Sequence, residues 1–462
     1  MKPRSSCLAV LRSECYLAAE SVGLARALFW FLLIAAKRLP RMCMQGLAVW
    51  LRLKSPYAQY APKNYAPPSH KDNNGLRVLF CSSDNSASSG AFRSMVTLAS
   101  LLKEQHGVKP LVALPYQGDG AELLDEAEIP YVIIQSCTWT VPLGTNIQSG
   151  RNSRGIISSL FTNHVAIMTL ARMIRSYGVD IVHVNTTWTY AGALAAKASN
   201  VPCVWHLREF LEEDQGRTIW SRKAGNRTMA TAEKAIAISE SIYKKYSGTI
   251  PSDRLVTILN GIDAGRFLRP RHVVMNEEPY VFVFLGNFNE HKGHIEFSKA
   301  CASLYADGLR VFRVLFIGGG DAIVREKCES IFAGVGMQNM VSYIGFQKQP
   351  EIFLEKADVA FMCSRFEAFG RVTVEAMMAG CLVVGAATAG TTELIKDGKT
   401  GLLFEYEYNE YSKLAAKMKE AIGNPERSRR IAASGREYAM ANFTAERNAN
   451  AVAALYRSII EP

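Results

Sequence analysis

The chain has 462 residues, of which 48% are hydrophobic, 21% charged and 10% aromatic, with 34 Gly and 17 Pro. That length exceeds one ordinary core and suits two domains plus an appendage, and the composition excludes the disordered, collagen-like and polytopic membrane classes. Of the formal charge of +11, +7 sits in residues 1–54, where nine Lys or Arg face two Glu. A nucleic-acid-binding protein spreads a basic stripe over its folded domain, so no nucleic-acid partner is expected.

Residues 27–36 (ALFWFLLIAA) form an uninterrupted apolar run fenced by Arg26 and by Lys37, Arg38 and Arg41. The run is short of the roughly 20 residues a spanning helix needs. No small-residue cleavage site follows, as a signal peptide would require. A monotopic anchor on an anionic membrane surface, with Trp30 and Trp50 near the headgroups, is expected of residues 1–54; a helix docked on the protein's own surface is the alternative. From Ser55 to Gly75 the composition turns to Pro, Tyr, Asn and charge, which reads as a linker. Residues 1–75 are therefore expected to be a basic amphipathic extension and Pro-rich linker.

The apolar run RVLFC (77–81) is expected to be a strand covered on both faces, with a helix over 92–105 after it. Further strands are expected near 110–115, 130–135, 180–185, 202–207, 234–239 and 256–261, with helix-length patterns between most of them. A second series starts at 280–286 and continues near 313–320, 341–346, 358–363 and 381–386. Strand and helix in alternation imply parallel βαβ units, here in two doubly wound domains meeting near 262–279. The ten cysteines contain no C-x-x-C pair and several lie in strand-like runs, so they read as buried thiols of a reducing compartment.

The densest constellation runs from Ser364 to Gly380 (SRFEAFGRVTVEAMMAG). It leaves a strand and enters a helix at about Gly370, so free N–H groups at 369–372 are placed to attract a phosphate. Glu367 precedes the helix and Glu375 lies inside it. Eight residues of continuous helix span about 12 Å, so the loop must fold back if both carboxylates serve one ligand. On spacing alone, two solvated helix glutamates are the plainer reading.

The E-x7-E pair with Phe369-Gly370, its continuation through 375–404, and the NGID (260–263), GNFNEHKGH (286–294), FIGGGD (316–321) and AISES (237–241) stretches resemble retaining glycosyltransferase family 4. The resemblance runs from about residue 77 to 460. It implies an α/β GT-B fold, two Rossmann-like doubly wound domains facing across a cleft, here with an N-terminal basic extension. The implied limits are 76–265 for an acceptor domain and 266–444 for a nucleotide-sugar donor domain. Residues 445–462 are expected to be a C-terminal helix, apolar on one face, that in relatives returns to the first domain, with hinges near 262–279 and 440–445; a helix packed within the second domain is the alternative.

By the same resemblance Lys292 pairs with the donor diphosphate, Glu367 stands near the transferred sugar, and His206 points at that sugar; a partly buried structural histidine is the alternative reading of His206. Glu375 takes the ribose diol, and Phe369, Gly370 and Arg371 offer donors at the helix start. Gly286 and Asn287 follow the first strand of the second domain. The family commonly has Arg at the position of Asn287, which leaves the diphosphate one cation short unless Arg371 or Arg93 substitutes. Phe346 falls where relatives hold the nucleobase, and Ser88, Ser89 and Gly90 form a small-residue loop that approaches the diphosphate. His183 reads as structural, and no role is assigned to Arg208 or Glu209.

The implied enzyme is a retaining, metal-independent hexosyltransferase with no cofactor beyond a nucleoside-diphosphate sugar as co-substrate; the sequence contains no D-x-D. The expected acceptor is a cell-envelope or polyprenyl-linked glycan, and the expected location the cytoplasmic face of the membrane. The alternatives are a catalytically inactive nucleotide-sugar-binding scaffold, favoured by Asn287, and an epimerase or phosphorylase on the same fold.

Overall fold

The apolar runs read above as strands form two separate parallel sheets in the structure, a computed structural model that describes residues 75–267 and 279–461. The expected basic extension, nearly all of the linker, and residues 268–278 of the connecting segment lie outside the described residues. Among the described residues the chain divides into two units: one holds residues 75–238, Ile242–Ile258 and Ala449 onward, and the other holds Ser239–Ser241 and Leu259–Asn448.

In the first unit the strands are β1 (Arg77–Cys81), β2 (Lys109–Leu114), β3 (Tyr131–Ile133), β4 (Thr140–Pro142), β5 (Ile181–Asn185), β6 (Cys203–Leu207), β7 (Arg217–Ile219), β8 (Lys234–Ala237) and β9 (Leu255–Thr257). The described residues form a parallel sheet in the order β3-β2-β1-β5-β6-β8-β9. The chain winds outward from β1 to β3 and then returns to the other side of β1, so the order reverses between β1 and β5. The helices of eight residues or more are α1 (Gly90–His106), α2 (Gly150–Tyr177), α3 (Ala191–Ser199) and α4 (Arg222–Met229). Strands β5 and β6 are buried along their whole length, as a covered parallel sheet requires. The small antiparallel pair β4–β7 was not legible in the sequence, because three-residue strands carry too little pattern.

The second unit contains β10 (Tyr280–Leu285), β11 (Phe312–Ile317), β12 (Val341–Gly345), β13 (Val359–Met362), β14 (Leu382–Ala386) and β15 (Leu402–Phe404). Its sheet runs β12-β11-β10-β13-β14-β15, all parallel, with a second reversal between β10 and β13. Its longer helices are α5 (His294–Ala306), α6 (Ala322–Gly334), α7 (Arg371–Met378), α8 (Ser412–Gly423) and α9 (Pro425–Asn442). The last helix, α10 (Ala445–Ile460), begins in the second unit, and from Ala449 it belongs to the first.

An aromatic core holds β10 and β11 against α5. Phe316 is 1% exposed, stacks on Tyr343 at 5.2 Å and meets Phe284 and Phe297 at 5.9 and 5.6 Å. Each such ring contributes about 1.5–3 kcal/mol by burial, which fixes the sheet whose strand ends carry the loops described next. Among the described residues, the cysteines are free and, Cys137 apart, buried. No described helix is long and apolar enough to cross a membrane.

Candidate active site

The strand-order reversal of the second unit sets the loops after β10 and β13 side by side. After β10 the chain runs through Gly286–Asn289 into a 3-10 turn, Glu290–Lys292, which ends at Gly293 with φ of 79°. A side chain there would strike the carbonyl oxygen of Cys363, at the end of β13. Only glycine permits both this left-handed turn and this approach. The neighbouring loop is tied down by Arg365 N–H donating to His291 O at 3.0 Å and Gly390 N–H donating to Glu367 O at 2.9 Å. Lys292 and Glu367 meet as a result, with Nζ 3.0 Å from the carboxylate and both side chains partly exposed.

Glu367 lies in the loop and the helix begins only at Arg371, so no continuous helix separates the two carboxylates. Glu375 sits one turn into α7 at 7% exposure, paired with Arg371 Nη2 at 3.2 Å. It is not one of the solvated glutamates that spacing alone suggested. Arg371 bonds a carboxylate of its own helix, whose start is shaped by Gly370 at φ of 90°. A Cβ at Gly370 would crowd Thr373, Glu367 and Leu394. Phe369 is buried, edge-on to Phe443 at 6.0 Å.

Asn287 accepts a hydrogen bond from Gly319 N–H through its side-chain oxygen at 3.1 Å, and Phe288 N–H donates to Gly319 O at 2.7 Å. The residue at the usual arginine position therefore staples the triple-glycine turn to the loop carrying Lys292. Gly286 N–H donates to Ile317 O, and Gly318 N–H to Gly345 O, which places Phe346, 47% exposed, next to this turn. Sequence reasoning missed a second set of ties. Glu393 accepts from the N–H groups of Glu240 and Ser241, both at 2.8 Å, and the Ser239 hydroxyl donates to Ala368 O. The AISES stretch and the 375–404 continuation were visible as motifs, but nothing local shows that they bond each other across 152 residues.

In the first unit, Ser89 caps α1 by accepting from Phe92 N–H at 3.3 Å and donates to Asp84 at the same distance, with Gly90 opening the helix. Asp84 was not singled out from the sequence; burial raises its carboxyl above the ordinary value against the hydrogen bonds that lower it. Across the reversal between β1 and β5, the hydroxyl of Thr186 bonds that of Ser83 at 2.8 Å. Thr186 has φ of 80°, costly for a β-branched residue. It is held by Thr186 N–H donating to His206 O and by the indole of Trp205 donating to Thr186 O.

His206, at the end of β6, is fully buried with His183, and both its neighbours His183 and the buried Arg208 reach its Nδ1. Beside them Glu209 accepts from the Thr187 hydroxyl at 2.7 Å and from Arg208 N–H at 3.1 Å, and burial pushes its carboxyl up to about 7. Arg93 and Lys292 have further partners. Among the described residues no three His, Cys, Asp or Glu side chains gather as a metal site would need.

Comparison with known proteins gives two family matches: Glycosyltransferase Family 4 over residues 88–266 and Glycosyl transferases group 1 over residues 268–438. Alpha-maltose-1-phosphate synthase of Mycolicibacterium smegmatis is 28% identical over 311 residues, 60% of this chain and 79% of its own length. A D-inositol 3-phosphate glycosyltransferase of Actinosynnema mirum is 25% identical over 337 residues, 69% and 73% of the two chains. Among solved structures, Anabaena Alr3699/HepE in complex with UDP has a TM-score of 0.68 at 20% identity, covering 83% of this chain and all of its own. Sucrose-phosphate synthase from Thermosynechococcus elongatus has a TM-score of 0.65 at 17% identity, covering 84% and 99%. These likenesses give the fold as GT-B.

The buried Glu209 makes stability depend on pH. Its folded carboxyl binds a proton more tightly than the unfolded chain does, with values of about 7 and 4.5. The stabilisation is full below the lower value and is lost as pH rises through the higher one. Chemical denaturation across that window should show wild type losing more stability with rising pH than Glu209→Gln; equal slopes would refute the assignment.

Proposed function

Since the chain belongs to glycosyltransferase family 4, with a group 1 second half, and is a glycosyltransferase, we propose that it moves a hexosyl-type sugar from a nucleoside-diphosphate sugar to a lipid-linked or other cell-envelope glycan with retention of configuration. The observation that carries the reading is the Lys292–Glu367 pair at the β10/β13 reversal, with buried Glu375 on the adjoining helix. Open α/β sheets bind ligands where strand order reverses. The solved Anabaena relative is bound to UDP and, in another structure, to UDP-glucose, which favours the same donor class here.

In this reading Lys292 and the N–H groups at the start of α7, from Phe369 to Arg371, neutralise the charge that grows on the diphosphate as its bond to the sugar breaks. Glu375 accepts from the ribose hydroxyls, with Arg371 holding it, and Gly286, Asn287 and Phe346 border the diphosphate and base. Ser89 and Gly90 let backbone approach the phosphates. Glu367 orients the sugar, and His206 donates a hydrogen bond to a sugar oxygen. The C1–O bond to phosphate breaks with its electron pair leaving on the diphosphate, the acceptor oxygen bonds C1 on the same face, and the acceptor proton passes to a phosphate oxygen. Glu367 is not the nucleophile of a double displacement. No cofactor or metal is required, because the ammonium and backbone donors do the work a divalent cation does elsewhere.

Full-length protein incubated with radiolabelled nucleotide sugars and lipid-linked glycan should release nucleoside diphosphate and give a product with the donor's anomeric configuration. Activity should survive EDTA, and Lys292→Ala should lower kcat/KM by about a hundredfold. An inverted product, or loss in EDTA with rescue by Mn²⁺, would refute the mechanism.

The amphiphilic acceptor and location at the cytoplasmic face rest on the nine basic residues and apolar decad of residues 1–54. Co-sedimentation with vesicles containing phosphatidylglycerol should fall sharply at raised salt and on deletion of 1–54; undiminished sedimentation of the truncated chain would overturn that assignment.

A further inference from the structure

The first unit contains a chain of buried side chains that begins on the C-terminal helix and ends at His206. Tyr456 Oη lies 2.6 Å from His183 Nδ1, 273 residues away in sequence. His183 Nε2 lies 3.1 Å from His206 Nδ1, and Arg208 Nη2 lies 3.2 Å from that same nitrogen. Arg208 is itself held by Asn185, whose side-chain oxygen accepts from Nε at 2.6 Å. All three rings are fully buried.

A guanidinium has donors and no acceptor, so Arg208 favours an accepting Nδ1 on His206, and the Tyr456 hydroxyl, by donating to His183, sets the same sense from the other end of the chain. His206 Nδ1 then accepts, and its ring proton is therefore on Nε2. His183 then presents Nε2–H to His206 and accepts at Nδ1 from the Tyr456 hydroxyl. The opposite set of tautomers would aim an N–H of His206 at an N–H of Arg208. The outcome is a His206 Nε2–H that is buried and has no hydrogen-bond partner among the described residues. A buried donor left unpaired is costly, and such costs are characteristic of binding sites. Burial first, and then the Arg208 cation, pushes His183 down to about 3 and His206 well below the usual imidazole value, so neither ring gains the second proton that would break the chain.

We propose that Tyr456 and His183 are positioning residues that fix His206 as the neutral Nε2–H tautomer, making it a hydrogen-bond donor to a substrate oxygen and excluding it as a general base. This rests on the reading of His206 as a sugar contact. An imidazole whose Nδ1 already accepts and whose Nε2 carries the proton has no lone pair for the proton of the acceptor hydroxyl. That proton must go to the departing diphosphate, as the proposed mechanism has it.

The test is nitrogen-15 NMR of the full chain labelled at histidine, with the ring signals of His206 and His183 assigned by their loss in His206→Gln and His183→Gln. His206 is expected as the neutral Nε2–H form throughout about pH 6 to 8. Tyr456→Phe keeps the ring in place and removes the hydroxyl. It should mix the tautomers of the two histidines and lower kcat about tenfold, with the KM for the donor nearly unchanged. His183→Gln, which keeps an N–H toward His206, should retain more activity than His183→Leu at equal melting temperature. A His206 protonated on Nδ1 or on both nitrogens, or a Tyr456→Phe enzyme with unchanged tautomers and kcat, would overturn the inference. A wild-type His206 found in any form other than neutral Nε2–H overturns the inference even if Tyr456→Phe fails to fold. A chain that transfers no sugar would instead sink the reading on which it rests, leaving the tautomer measurable.

Discussion

An ammonium and a carboxylate can meet at the end of a parallel sheet only if the loops that carry them leave neighbouring strands, and in the second unit that condition is set by one reversal of strand order. Strands β10 and β13 pair directly, although β11 and β12 intervene in sequence. The loop after β10 is turned by Gly293 against the end of β13, and the loop after β13 is bonded back to His291 and to Gly390. Lys292 and Glu367 are therefore held by backbone on both sides, a form of preorganisation that side-chain packing alone would not supply. Sugar-nucleotide chemistry depends on such placement, because its main electrostatic demand is a fixed positive charge where the leaving diphosphate develops negative charge.

The first unit uses the same topological device differently. At the reversal between β1 and β5, Thr186 is kept in a left-handed conformation by bonds from its own amide and from Trp205, and its hydroxyl reaches Ser83. Around it lies a buried polar cluster in which Tyr456, His183 and Arg208 bond in series with His206 and Glu209 accepts from Thr187 and Arg208. Buried polar groups of this kind are costly unless fully paired, and they enforce one arrangement when they are. The second unit thus carries a partly exposed ion pair, and the first a buried network of rings beside one guanidinium.

Much of this was legible in the sequence, for identifiable reasons. Runs such as RVLFC and DVAFMC declare covered parallel strands because both faces are apolar, and the E-x7-E motif has local spacing that a sequence can carry. What escaped had either too little length or too much separation. The strands β4 and β7 have three residues each, and β15 lay unrecognised inside the GLLF stretch. Tyr456 read only as part of an apolar helix face, since its partner is His183, and Glu393 read as part of a motif rather than as an acceptor for Glu240 and Ser241. Asn287 looked like the loss of a cation, whereas its side chain binds the Gly319 turn, a role that no spacing announces.

The central claim is that the loops after β10 and β13 hold a sugar nucleotide. Calorimetric titration of the full chain with UDP- and GDP-sugars tests it without depending on the acceptor. The account predicts saturable binding of at least one of them, weakened about tenfold or more by Lys292→Ala and by Glu375→Ala. Absence of binding to every nucleotide sugar, or affinity untouched by both substitutions, would contradict it.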